Sequence, residues 1–216
     1  MVQNKLILSV IFFVAALAAT APACATDNDF SAMPIPDKVW QSMQGKSVPK
    51  GCKTKRTDLR YLQVLYVDRN GKTQHGEIIC NRRIADDLID IFRKLYKARY
   101  VIERISLIDN YGADDNASMT ANNTSCFNYR LQTGSATRVS KHGMGMAIDI
   151  NPLYNPYIKG NKVEPPAGKP YATNRTRKDI PMKIDTSDLC YRLFVQHGFR
   201  WGGAWKSCKD YQHFEK

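Results

Sequence analysis

Two runs of strand-forming residues lie between positions 61 and 80. Tyr61-Leu62-Gln63-Val64-Leu65-Tyr66-Val67 is rich in β-branched and aromatic residues, and a second run closes with Glu77-Ile78-Ile79-Cys80. Asp68-Arg69-Asn70-Gly71 lies between them, and Asn-Gly flanked by such runs predicts a β-hairpin. Next, Ile84, Leu88, Ile91, Phe92 and Leu95 recur at helical spacing, with Asn81 as the expected cap. Tyr100 to Ile108 reads as a strand, and the Gly-, Asp- and Asn-rich stretch Tyr111 to Ser125 as a loop. Met146-Ala147-Ile148-Asp149-Ile150 alternates again, placing Asp149 on one face of a strand and Ile148 and Ile150 on the other. Residues 151–184 are broken by six prolines, a long irregular segment of the kind that forms the wall of a substrate groove. Asp185-Thr186-Ser187 then caps a helix with Leu189, Leu193, Phe194 and His197 on one side, stopped by Gly198.

The two ends of the pattern are different in kind. Lys5, the apolar run Leu6 to Ala18 and the small residues up to Ala25 have the layout of a secretory signal, so residues 1–25 are expected to be removed on export. The apolar run is short for a bilayer span. Lipid attachment at Cys24 competes with release after Ala25, but Ala21 is a poor match to a lipoprotein signal, which favours release. Residues 26–50, with prolines at 34, 36 and 49, read as an irregular leader, leaving 51–216 as the working domain.

Composition narrows the picture further. A 43% hydrophobic content in 216 residues is enough for one good core. The formal charge of +12 favours an anionic partner, whether nucleic acid, anionic lipid or an acidic cell-wall polymer, and the scatter of the basic residues argues against nucleic acid. Export permits disulfides. Cys52 with Cys80, and Cys190 with Cys208, are the expected bridges, with Cys126 left over.

The chemistry concentrates in two stretches, Ser140 to Asp149 and Asp210 to Glu215. Together they hold two imidazoles and a carboxylate able to bind one metal, and a further carboxylate, Asp210, to handle a water proton. His75, on the hairpin, has no neighbours at ligand spacing and reads as a surface residue. His197, in the last turn of its helix, reads as a complement to the helix dipole.

The SxHxxGxAxD run at Ser140–Asp149, followed by GFxWGGxW and DxxHFE, closely resembles the zinc-dependent peptidoglycan peptidases. These include the D-alanyl-D-alanine carboxypeptidases and dipeptidases and the L-alanyl-D-glutamate endopeptidases. The resemblance spans roughly Tyr61 to Glu215, and DxxH with WGG looks most like the endopeptidases. It implies an α+β fold, a small mostly antiparallel sheet flanked by helices with one zinc site, acting on peptidoglycan stem peptides. It implies His142, Asp149 and His213 as zinc ligands, Asp210 as general base and Arg130 as the group that binds the scissile carbonyl. Ser140 matches the motif serine near the substrate, and Glu215 is a candidate to orient a ligand. Trp201 and Trp205 are candidates to line the groove, with buried packing the alternative; for Arg130 the alternative is a structural salt bridge.

One departure stands out. Ala204 replaces an acidic residue that many endopeptidase relatives carry between WGG and Trp, which bears on substrate preference and leaves the metal set whole. A second reading comes from the same fold in the zinc-containing signalling domain of hedgehog proteins: a non-catalytic wall-binding or signalling module.

Overall fold

The computed structural model describes residues 29–132 and 135–216. The expected export signal, residues 1–25 with Cys24, lies outside them. The hairpin forms where Asn-Gly predicted it. Leu59–Val67 (β2) and Thr73–Asn81 (β3) pair antiparallel from Leu59 opposite Asn81 to Val67 opposite Thr73. Asp68 closes the turn, its Oδ1 accepting the Asn70 and Lys72 N–H groups.

The described part of the expected irregular leader, residues 29–50, holds regular elements. Ser31–Met33 (β1) adds to the free edge of β2, and Asp37–Met43 (α1) follows. The hydrophobic side chains Phe30, Ile35, Met43 and Val48 are buried, which explains the folding of this proline-punctuated segment onto the sheet. One face of the β1–β2–β3 sheet packs Ile35, Met43, Leu59, Tyr61, Ile79 and Phe127 together. The other face belongs to the main core and is covered by Ala85–Lys97 (α2), which buries Leu88, Ile91, Phe92 and Leu95.

Asn81 does not cap α2 directly. Its Oδ1 accepts the Arg83 N–H, and its amide Nδ2 donates to the Met144 carbonyl across the chain. The expected strand at Tyr100–Ile108 shrinks to Arg104–Ile105 (β4), and the expected loop at 111–125 contains Asp115–Thr120 (α3) and Asn123–Thr124 (β5). Asp114 caps α3 through the Asn116 and Ala117 N–H groups, and β5 pairs parallel to β4.

Ala147–Asp149 (β6) runs beside His213–Glu215 (β11), which also pairs with Arg200–Trp201 (β9), giving the sheet order β6–β11–β9. Leu189–Gln196 (α5) covers the back of this sheet and is capped by Asp188, one residue beyond the predicted trio. Tyr157–Lys159 (β7), Lys162–Glu164 (β8) and Lys169–Ala172 (α4) fold within the proline-rich segment, and Lys209–Asp210 (β10) pairs with β7.

Among the described residues the architecture is α+β, with three small antiparallel sheets and one short parallel pair in place of a single sheet. Among the described residues, no helix is long and apolar enough to cross a membrane. The five described cysteines are all free, contrary to the expected bridges. Cys80 lies in the main core, whereas Cys52 packs on the opposite face of the same sheet. Cys190 is fully buried, whereas Cys208 is part-exposed beside Tyr157.

Candidate metal centre

Register builds the centre. In the β6–β11 ladder His213 lies directly opposite Asp149, so both side chains leave the same face of the sheet. Ile148 and Phe214, the neighbours one position along, point the other way into the core, where the Phe214 ring stacks on Phe194 of α5 at 4.3 Å. The second edge of β6 is held by Ser125, which exchanges both backbone hydrogen bonds with Asp149.

His142 arrives from the turn just before β6. Gly145 ends that turn with φ +68°, a left-handed conformation that glycine adopts without strain. A Cβ on Gly145 would also stand 2.7 Å from the Asn81 backbone N, and that N–H donates to the Gly145 carbonyl. The close approach pins the turn to the end of β3. Ser140, expected near substrate, uses its hydroxyl oxygen to accept the Gly143 N–H within the same turn.

The three predicted ligands converge. His142 Nε2 is 3.1 Å from His213 Nδ1 and 3.3 Å from Asp149 Oδ1, and His213 Nδ1 is 3.1 Å from that same oxygen. All three residues are largely buried. A tetrahedral zinc with bonds of 2.0–2.1 Å separates its ligands by about 3.3 Å, so the spacing suits such an ion.

The hydrogen bonds on the outer side of each ring support the same conclusion. His142 Nδ1 is 2.7 Å from the Cys126 carbonyl, which can only accept, so Nδ1 carries the hydrogen and Nε2 presents a lone pair. His213 Nε2 faces Glu215 Oε2 at 3.4 Å, and Glu215 is itself held by Arg200 at 2.7 Å. With hydrogens turned outward, two nitrogen lone pairs and a carboxylate oxygen face one another. Only a cation or a proton between them relieves the repulsion.

Without a metal, a proton takes that place. Burial works to lower the His213 pKa, but hydrogen bonds to Asp149 and Glu215 outweigh it and push it up to about 10. Burial likewise opposes charge on Asp149, yet the two imidazoles hold it well below the usual carboxylate range.

Asp210 stands beside the cluster, its Oδ2 3.9 Å from His213 Nδ1. Burial, with the Asp149 charge adding to it, raises its pKa to about 6 against the pull of the imidazoles. Its Oδ1 accepts a hydrogen bond from Gln212 Nε2 at 3.2 Å, leaving Oδ2 as the freer oxygen. The double glycine of WGG is explained here. A Cβ on Gly202 would fall 2.7 Å from the Asp210 carbonyl oxygen and 2.8 Å from its Cβ, and one on Gly203 would penetrate the Trp201 ring.

The two tryptophans separate. Trp205 places its ring 5.2 Å from that of His213, whereas Trp201 is buried against Tyr191 and donates its indole N–H to the Tyr211 carbonyl. Trp201 therefore builds the scaffold instead of lining a groove. Arg130 is carried by the segment whose carbonyl receives the Ser140 N–H, and its Nε pairs with Asp115 at 2.9 Å. His197 lies elsewhere, between Asp87 and Asp90 of α2, and His75 is exposed on the hairpin.

Gln212, Asp115 and the Cys126 carbonyl were missed by the sequence reading. Gln212 had a signal, since it lies between Asp210 and His213. A backbone carbonyl has none, and Asp115 reaches Arg130 only through the folding of α3.

Residues 133–216 match a family model described as D-alanyl-D-alanine carboxypeptidase. The peptidase family suspected from the motifs is supported. His142, Asp149, Asp210 and His213 all fall inside the matched stretch, while Arg130 precedes it. The match supports a hydrolase acting on peptidoglycan peptides. No curated protein and no solved structure matches the chain.

Proposed function

We propose that this chain is an exported zinc peptidase that hydrolyses a peptide bond in the peptidoglycan stem peptide, with residues 51–216 as its catalytic unit. The observation that carries the reading is the convergence of His142, Asp149 and His213 with Asp210 beside them, within the stretch that matches the peptidase family. His142, Asp149 and His213 would hold a zinc ion, which when bound would supply Lewis-acid polarisation of the scissile carbonyl and make water more acidic.

Asp210 is the general base. In the metal-free chain burial raises its pKa to about 6, a shift towards a carboxylate basic enough to take a proton from the attacking water. It then returns that proton to the leaving amine. Gln212 holds Oδ1, so the proton is exchanged at Oδ2. Arg130 binds the scissile carbonyl. Its Nε is tied to Asp115, and its part-exposed guanidinium supplies positive charge to the developing oxyanion. Trp205, beside His213, forms part of the substrate wall. Glu215 sets the orientation of the His213 ring.

The test is mass spectrometry of purified muropeptides incubated with the protein, the chelated protein, the chelated protein given zinc again, and the Asp210→Asn variant. The expected result is a mass change that disappears on chelation, returns with zinc and is at least 100-fold slower in the variant; the fragment masses identify the bond. Stoichiometric zinc binding with no turnover of any muropeptide would refute the proposal and favour a binding module.

A further inference from the structure

Arg175 is a heavily engaged cation apart from the metal centre. Its Nη1 donates to the Tyr154 carbonyl at 2.6 Å and the Tyr171 carbonyl at 3.2 Å. Its Nη2 donates to Asn155 Oδ1 at 2.8 Å and the Ile184 carbonyl at 3.2 Å. These acceptors come from both ends of the proline-rich segment, so one planar guanidinium closes the segment on itself. Asn155 completes the knot: its Oδ1 also accepts the Ile184 N–H, and its Nδ2 donates to the Asn151 and Met182 carbonyls.

None of these four acceptors is a carboxylate. Burial lowers the guanidinium's pKa to about 10, so it remains charged at neutral pH. Part of that charge is met by an aromatic face, since the guanidinium carbon lies 4.3 Å from the Tyr211 ring centroid.

Two routes lead from Arg175 to Asp210. Asn155 and Tyr154 lie two and three residues before β7, and β7 holds β10 in register with Tyr157 opposite Asp210. The second route is the stacked ring, which belongs to the residue immediately after Asp210. Both converge on a carboxylate that must keep its position relative to His213. We propose that Arg175 is a positioning residue for Asp210, acting through β7 and the Tyr211 ring; this rests on the reading of Asp210 as the general base. A lysine keeps the charge but cannot serve four acceptors and cover a ring at once, because it lacks the planar fork.

The test compares Arg175→Met and Arg175→Lys with the parent protein. The metal ligands lie on β6, β11 and the turn before β6, so zinc stoichiometry and affinity are expected to stay unchanged. In Arg175→Met kcat is expected to fall about 10- to 100-fold with KM within about 3-fold, the size of effect that a sub-ångström misplacement of a reacting group produces. Arg175→Lys should recover part of the loss. Unchanged kcat in both variants overturns the proposal, as does loss of zinc binding in parallel with kcat, which would mark a purely structural role. If Arg175→Met does not fold, Arg175→Lys decides alone, by an intermediate kcat. A readout independent of activity is the Trp201 indole N–H resonance, since that group donates to the Tyr211 carbonyl. It is expected to move in both variants; an unmoved resonance overturns the proposal even if no muropeptide proves to be a substrate.

Discussion

Gly202→Ala isolates the close approach that sets Asp210 beside the metal ligands. The added Cβ would lie 2.7 Å from the Asp210 carbonyl oxygen, 2.8 Å from the Asp210 Cβ and 3.2 Å from the His213 Cβ. Ordinary carbon–carbon contact begins at about 3.5 Å, so the Asp210 Cβ and the new methyl must separate by about 0.7 Å. The neighbouring atoms are backbone and Cβ, which cannot rotate away. His213 is anchored between β6 and β9, whereas Asp210 is held by the two-residue pairing of β10 with β7, so Asp210 should give way. A shift of that size in a proton-transferring group is expected to lower kcat about 10- to 100-fold, with a stability cost of about 1–3 kcal/mol. Zinc stoichiometry should be unaffected. The assay is muropeptide turnover beside metal analysis and a urea melt. A variant that turns over within about 3-fold of the parent rate would refute the argument that Gly202 sets the position of Asp210.

Two further outcomes follow from the electrostatics. His213 in the metal-free chain has a pKa near 10 and holds a proton at neutral pH, so metal uptake must displace it. About one proton should be released per zinc at pH 7–8, and apparent affinity should rise about tenfold per pH unit there; calorimetry in two buffers of different ionisation enthalpy measures it, and no proton release would contradict the geometry. At the α2–α5 contact, His197 lies 3.0 Å from Asp87 and 2.9 Å from Asp90. Burial opposes the Asp87 charge, but bonds from Lys216 and His197 outweigh it and lower its pKa; Asp90 is lowered chiefly by Lys94. The stability these carboxylates add is present above their unfolded pKa near 4 and lost as pH falls through their lower folded values. His197→Leu should therefore cost about 1 kcal/mol near neutrality, discounted because the side chains are part-exposed, and the difference in melts should shrink below about pH 4.

Much of the protein was legible from short-range pattern. The hairpin with its Asn-Gly turn, the α2 stripe and the alternation through Ile148, Asp149 and Ile150 all appear in local order, because side-chain period and turn chemistry are properties of neighbouring residues. Where tertiary burial overrode local signals, the reading departed from the structure. Residues 31–43 fold because β2 offers a free edge and a hydrophobic face, and nothing within the segment announces either. The cysteine pairs failed for the same reason: position along the chain does not say that Cys52 and Cys80 lie on opposite faces of one sheet. The family resemblance named His142, Asp149 and His213, but only the β6–β11 register sets His213 opposite Asp149. Only the Cys126 carbonyl turns the lone pair of His142 toward them. Arg175 looked like one more cation in a proline-rich loop, and its acceptors, mostly backbone carbonyls drawn from positions 154 to 184, exist as a set only once the chain has folded around it.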